Sequence, residues 1–277
     1  MIQDIEPRRL NNQYDAAAVP MPEDSVLLFR GAQVLARMED ALTFPKVREL
    51  PEGIPLIYLF AVDDERFFLY EAEPPKELTA VGYALRDLKE LREAWAQPKY
   101  RLFAACTGKH LADWYRDTRF CGRCGTEMRH SLKERARVCP ACRYTAYPRI
   151  MPAVIVGVIN GDRLLLTRYR TGYNHNALVA GFTEIGETME QTVAREVMEE
   201  AGIRVKNIRY YKSQPWGVAN DILAGYYCEV DGDSAIHRDD SELKYAEWTS
   251  RADIELQPDE SSLTNEMMKR FKQGLPC

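Results

Sequence analysis

No run in these 277 residues approaches the ~20 consecutive apolar side chains needed to cross a bilayer, so a membrane-spanning helix is excluded. The opening MIQDIEPRRL lacks the apolar centre of a secretory leader, and cytoplasmic residence is the resulting expectation. A disulfide framework is absent too. Of seven cysteines, four fall in two C-x-x-C pairs, a pattern that suits a bound metal in a reducing compartment. Residues 1–117 hold no cluster with catalytic spacing and read as scaffold. Hydrophobic residues make up 45% and charged residues 29%, ordinary for a globular protein, and the length suffices for two domains with cores of their own.

Charge is present but unevenly placed. The chain carries a net −5, yet residues 101–150 hold 11 Lys and Arg against 4 Asp and Glu, a local +7 that leaves −12 elsewhere. Such a stretch suits a polyanion such as RNA, or else offsets thiolates on a bound metal. Within it, Cys121-x-x-Cys124 is followed after fourteen residues by Cys139-x-x-Cys142. Four sulfurs on two knuckles form the tetrahedral set of structural Zn2+. Metal ligation then supplies folding energy that a segment of about 30 residues cannot draw from a core of its own. A redox pair is the competing reading, but a thioredoxin-like motif does not repeat at this interval.

The pattern along the chain gives an N-terminal α+β scaffold over 1–118, a zinc ribbon over 119–147 and an α/β domain over 148–277. Residues 1–20 read as a loose arm. Short apolar runs between 25 and 70 read as strands, 84–96 as a surface helix and 101–117 as a second helix. Beyond 148, AVIVGVI and RLLLTRY flank Asn160-Gly161-Asp162 and predict a buried hairpin. Further strands are expected near 177–182, 205–212, 222–230 and 243–249, with a terminal helix over 261–273.

Between these elements lies GFTEIGETMEQTVAREVMEEAGI, residues 181–203. Thr188 with Gln191 three residues on is a capping box, and Gly202 stands where a helix stops, so 189–201 is predicted helical. Glu196, Glu199 and Glu200 then share one face, at i, i+3 and i+4. Like charges so placed call for a cation, and a hard divalent ion such as Mg2+ or Mn2+ takes oxygen ligands of this kind. Val193, Ala194, Val197 and Ala201 supply an apolar stripe that docks the helix. Arg195, four before Glu199, is placed to hold it. Carboxylates of this kind with a divalent ion suit hydrolysis of a phosphoanhydride, with Glu199 or Glu200 accepting the proton of the attacking water. Glu242, in an acidic loop, is the candidate additional acid.

Position for position, the segment fits the Nudix box: Gly181, five residues, Glu187, seven residues, then Arg-Glu-apolar-x-Glu-Glu-x-Gly-apolar. With FCGRCGTEM, YPRIMPAVIVGV and the SQPW of 213–216, residues from about 103 onward resemble the NADH pyrophosphatase branch of the Nudix hydrolases. The resemblance implies a Nudix α/β/α sandwich with a mixed sheet, behind the ribbon and the small α+β domain. It implies cleavage of NADH and NAD+ to nicotinamide mononucleotide and AMP, removal of NAD caps from RNA 5′ ends in bacterial members, and a homodimer with structural zinc. By position, Glu196, Glu199, Glu200 and Glu242 resemble the metal-binding and catalytic acids, Arg195 stands with the catalytic residues, and Gly181 is a substrate-binding candidate in the turn that lets backbone approach a ligand. Phe182 resembles the aromatic that stacks on nicotinamide, and Tyr147 the one that reaches the site from the partner subunit. The chain departs from the family after SQPW. It reads Gly217-Val218-Ala219-Asn220-Asp221 where Pro-Phe-Pro and then a serine are usual. The departure admits another nucleoside-diphosphate-linked substrate: an ADP-sugar, a flavin dinucleotide or a coenzyme A derivative. A nucleotide- or RNA-binding regulator is the third reading, opposed by the intact box acids.

Overall fold

The computed structural model describes residues 1–170, 175–241 and 243–277, and its packing divides them into two units. One comprises residues 2–150 with 216–220; the other comprises Met1, 151–215 and 221–277.

In the unit of residues 2–150, the apolar runs form strands. Leu10–Asn11, Ile57–Val62, Glu65–Leu69 and Ser25–Leu27 lie in that order in a four-stranded sheet. Gln33–Met38 pairs with Phe29–Arg30, Leu42–Thr43 and Ala84–Asp87. Helix α1, Lys99–Asp117, buries Leu102, Phe103, Ala104, Ala105 and Cys106 in the same core as Phe60 and Phe67. Two expectations need correction. The arm is not loose throughout, since Leu10–Asn11 adds an edge strand and Ile2 is buried. Nor is 84–96 one helix. Ala84–Asp87 pairs with the sheet, and Asp87 then caps a short helix over Leu88–Glu93 by accepting the Lys89 amide at 2.7 Å. The helical periodicity there was real, but an N-cap aspartate and an available sheet edge claim its first turn.

The cysteine-bearing segment belongs to this unit. Its three short strands, Arg129–His130, Arg137–Val138 and Thr145–Ala146, form an antiparallel sheet with the middle one central. It is anchored by polar contacts. Arg135 donates to the Leu59 carbonyl at 2.6 Å, and the Tyr14 hydroxyl donates to the Ser131 carbonyl at 2.7 Å.

The second unit is a mixed sheet with a helix on each face. We label its strands β1 (Met151–Asn160), β2 (Arg163–Tyr169), β3 (Val179–Phe182), β4 (Val205–Trp216, whose last residue packs with the other unit), β5 (Asp221–Val230) and β6 (Leu243–Ser250). The order is β4-β5-β1-β2-β6, with β3 also paired to β1. β1 runs parallel to β5 and antiparallel to β3. Strand alternation sorts the faces. Val154, Val156, Val158, Ala224, Tyr226 and Cys228 pack with Val193, Val197 and Ala201 of helix α2 (Met189–Ala201). On the opposite face the Tyr227 hydroxyl donates to the Met267 carbonyl of helix α3 (Leu263–Lys272) at 2.8 Å. Val193 and Val197 are fully buried, and each stabilises the docked helix by about 1.5–3 kcal/mol.

Candidate active site

The ends of α2 follow from local chemistry. Thr188 Oγ1 accepts the Gln191 amide at 3.2 Å and Gln191 Oε1 accepts the Thr188 amide at 2.8 Å, closing the capping box. Gly202 ends the helix in the left-handed region at φ 68°, a conformation that costs glycine nothing. The helix is thereby fixed in phase, and its acids are aimed.

Their environments differ sharply. Glu200 is 1% exposed, and its Oε1 accepts from the Tyr169 hydroxyl at 3.1 Å and the Ala180 amide at 3.4 Å. Glu196 lies against β3. A Cβ added to Gly181 would stand 2.0 Å from its carboxyl carbon, so only glycine leaves room for that carboxylate. The Glu199 side chain is 58% exposed.

Arg195 ties the acids together. Nε and Nη2 donate to Glu187 at 2.7 and 2.9 Å, and Nη1 donates to Glu196 at 2.7 Å and Glu199 at 2.9 Å. Nη2 also donates to the Phe182 carbonyl at 2.9 Å, tying the helix to the strand end. A planar, five-donor guanidinium suits such a fork; an ammonium would not. These bonds hold the Glu187 carboxyl down at about 2 and raise Arg195 further. Sequence spacing foresaw the Arg195–Glu199 pair. It named Glu187 in the box but not its pairing with Arg195, eight residues on, and it missed Tyr169, on another strand.

Among the described residues, the group of three or more potential metal ligands with atoms within 4.8 Å of one another is Cys121, Cys124, Cys139 and Cys142. Their sulfurs lie 3.6 Å apart for Cys121–Cys142 and 3.5 Å for Cys124–Cys139. A tetrahedral Zn2+ at ~2.3 Å from each sulfur needs separations near this. The Arg123 and Cys142 amides donate to Cys121 and Cys139 Sγ, as thiolates require. The three box carboxylates do not form so tight a group. They share an oxygen-rich edge where glycine leaves space, a donor set for a hard divalent ion. Glu242 lies outside the described residues.

The remaining candidates fall in different places. Phe182, half exposed, ends β3, and its backbone carbonyl is the one that Arg195 holds. Tyr147 belongs to the other unit, where its hydroxyl donates to Glu134 at 3.0 Å and the bond raises its pKa. In SQPW, Gln214 is fully buried. It donates to the Ser261 carbonyl at 2.8 Å and accepts the Leu263 amide at 2.7 Å, positioning the start of α3. Cys106 and Cys228 are buried thiols that desolvation pushes up to about 12, which suits packing.

Comparison with known proteins places this geometry. Residues 149–271 match the NUDIX domain, and residues 116–147 match the NADH pyrophosphatase zinc ribbon domain. A Klebsiella pneumoniae protein named NAD-capped RNA hydrolase NudC is 40% identical over 187 residues, 66% of this chain and 71% of that protein. A namesake from Escherichia fergusonii is 43% identical over 174 residues, 61% of this chain and 66% of its own length. A solved NUDIX hydrolase from Nitrosomonas europaea shares the fold at a TM-score of 0.50 and 22% identity, covering 57% of this chain and 95% of that one.

Proposed function

The chain belongs to the NADH pyrophosphatase branch of the Nudix hydrolases, and from that membership we propose that it cleaves the pyrophosphate of NAD+ and NADH to nicotinamide mononucleotide and AMP, and removes NAD caps from RNA 5′ ends. The observation that carries the reading is the carboxylate edge of α2. Glu196 is seated against Gly181, Glu200 is buried on Tyr169, and Arg195 braces both Glu196 and Glu199.

In this reading Glu196, Glu199 and Glu200 hold the divalent ions, Mg2+ or Mn2+, with Glu242 as an added ligand. Divalent ions held there would supply charge neutralisation for the diphosphate and a lowered pKa for the attacking water. The chain does the rest. Arg195 keeps the carboxylates from drifting apart, and Gly181 leaves the space in which Glu196 stands. Glu199 or Glu200, where not engaged by an ion, takes the water's proton. Phe182 offers its exposed ring as a stacking face for nicotinamide, and Tyr147 does so from the partner subunit of a homodimer. Cys121, Cys124, Cys139 and Cys142 hold the ribbon's zinc, which takes no part in the chemistry. The ribbon, 119–147, stands between a scaffold over 1–118 and the catalytic domain over 148–277.

Product analysis by mass spectrometry tests this on NAD+, NADH, an ADP-sugar and NAD-capped RNA, each with Mg2+ and with Mn2+. Nicotinamide mononucleotide and AMP are expected, and Glu200→Gln abolishes them without abolishing binding. NAD+ and NADH left intact by metal-loaded protein would overturn the assignment. The altered Gly217–Asp221 stretch favours one second reading, another nucleoside-diphosphate-linked substrate, which would show as an ADP-sugar exceeding both in kcat/KM.

A further inference from the structure

Asp221 opens β5 as a buried residue with one carboxyl oxygen unsatisfied. The residue is 6% exposed, and its Oδ1 meets no hydrogen-bond donor among the described residues. Burial raises its pKa to about 6, and no cation among the described residues offsets it. Native folds rarely leave a buried carboxylate unpaired, and one that persists points to a partner that arrives with a ligand.

Strand register places it. Met151 pairs with Asp221 and Ala153 with Leu223 across the parallel β1–β5 ladder, and Ala153 pairs with Phe182 across β1–β3. Paired residues share a face, as do residues two apart on a strand. Asp221 and Phe182 therefore lie on one face of the sheet, the face opposite Val154 and α2. Two strand spacings and two residues separate their backbones, roughly 12 Å. A flat ring stacked on Phe182 would lie at the intermediate distance over which a poorly solvated carboxylate acts.

The oxidised nicotinamide ring is a pyridinium cation, and the reduced ring is neutral. Both dinucleotides carry the same diphosphate, so any repulsion of phosphate by Asp221 cancels between them. Attraction for the ring does not cancel. Resting on the reading that NAD is the substrate class, we propose that Asp221 is a specificity-determining residue that favours the oxidised dinucleotide over the reduced one. At about 10 Å, with an effective dielectric between those of protein and water, the discrimination is about three- to tenfold.

The test compares kcat/KM for NAD+ and NADH at pH 8 in wild type, Asp221→Asn and Asp221→Ser, at fixed metal and ionic strength. ADP-ribose serves as a substrate without the ring. The expected result is a wild-type preference for NAD+ that falls about three- to tenfold in both variants, while NADH and ADP-ribose change together. An unchanged NAD+/NADH ratio in either folded variant overturns the proposal. So does a loss shared equally by all three substrates, which marks a structural role. A wild type that cleaves ADP-ribose but neither nicotinamide dinucleotide instead sinks the parent assignment, and this proposal with it.

Discussion

Gly181 shows how a missing side chain makes room for a charged one. Its neighbour in space is the Glu196 carboxylate, which a methyl group would overlap at 2.0 Å. Gly181→Ala therefore displaces Glu196 and lowers kcat by about a hundredfold or more while secondary structure survives, a split that assays beside circular dichroism would show. A fall in kcat no larger than threefold would mean that Glu196 has another place to stand. Asp221 makes a prediction about stability. Its carboxyl ionises more readily in the unfolded chain, near 3.8, than in the folded one, near 6. Stability from this group is full below pH ~4 and is lost as pH rises through about 6. Asp221→Asn should raise Tm at pH 8, by the equivalent of about 1 kcal/mol, and have no effect below pH 4. An equal Tm change at both pH values would contradict the assigned ionisation.

At the scale of elements, α2 was legible almost to the residue. Capping box, apolar stripe and closing glycine all lie within 181–203, and Met189–Ala201 is what forms. Local signals decide local structure, and this helix has all of them. Thr188→Ala should cost about 1 kcal/mol by freeing the Gln191 amide, measured by denaturant unfolding. Arg195→Lys should be more damaging to catalysis than to folding. One ammonium cannot reach Glu187, Glu196, Glu199 and the Phe182 carbonyl together, and a drop in kcat/KM of at least tenfold is expected. Partners distant in sequence were not legible. Tyr169 meets Glu200 because β2 and β3 come together, and no spacing rule contains that fact. The strand at 84–87 was hidden for the same reason, since its partner lies some fifty residues earlier.

Over the whole molecule, the two cysteine knuckles and the box announced a zinc ribbon and a Nudix domain, whereas the scaffold's topology could not be read from its apolar runs. Long-range pairing orders its sheet with the first strand beside the sixth run of the chain, and composition does not encode such an order. The ribbon is no independent finger, because Arg135 and Tyr14 tie it to the strands and arm of its own unit. Removing zinc, by chelation or by Cys139→Ser, should therefore lower the Tm of that unit and expose 119–147 to protease. Elemental analysis should find one zinc per chain before treatment and none after. Protease resistance unchanged after zinc loss would show that hydrogen bonds alone hold the ribbon.

Trp216 at the end of β4 and the four-residue turn after it, 217–220, pack with one unit while the rest of β4 and all of β5 belong to the other. Nothing in the capping box, the glycine cradle or the arginine fork depends on its composition. On the proposed reading that residues 217–221 bear on substrate choice, drift in this turn would retune which dinucleotide is accepted and leave the box residues untouched, so a lineage could acquire new substrates through a handful of substitutions outside α2.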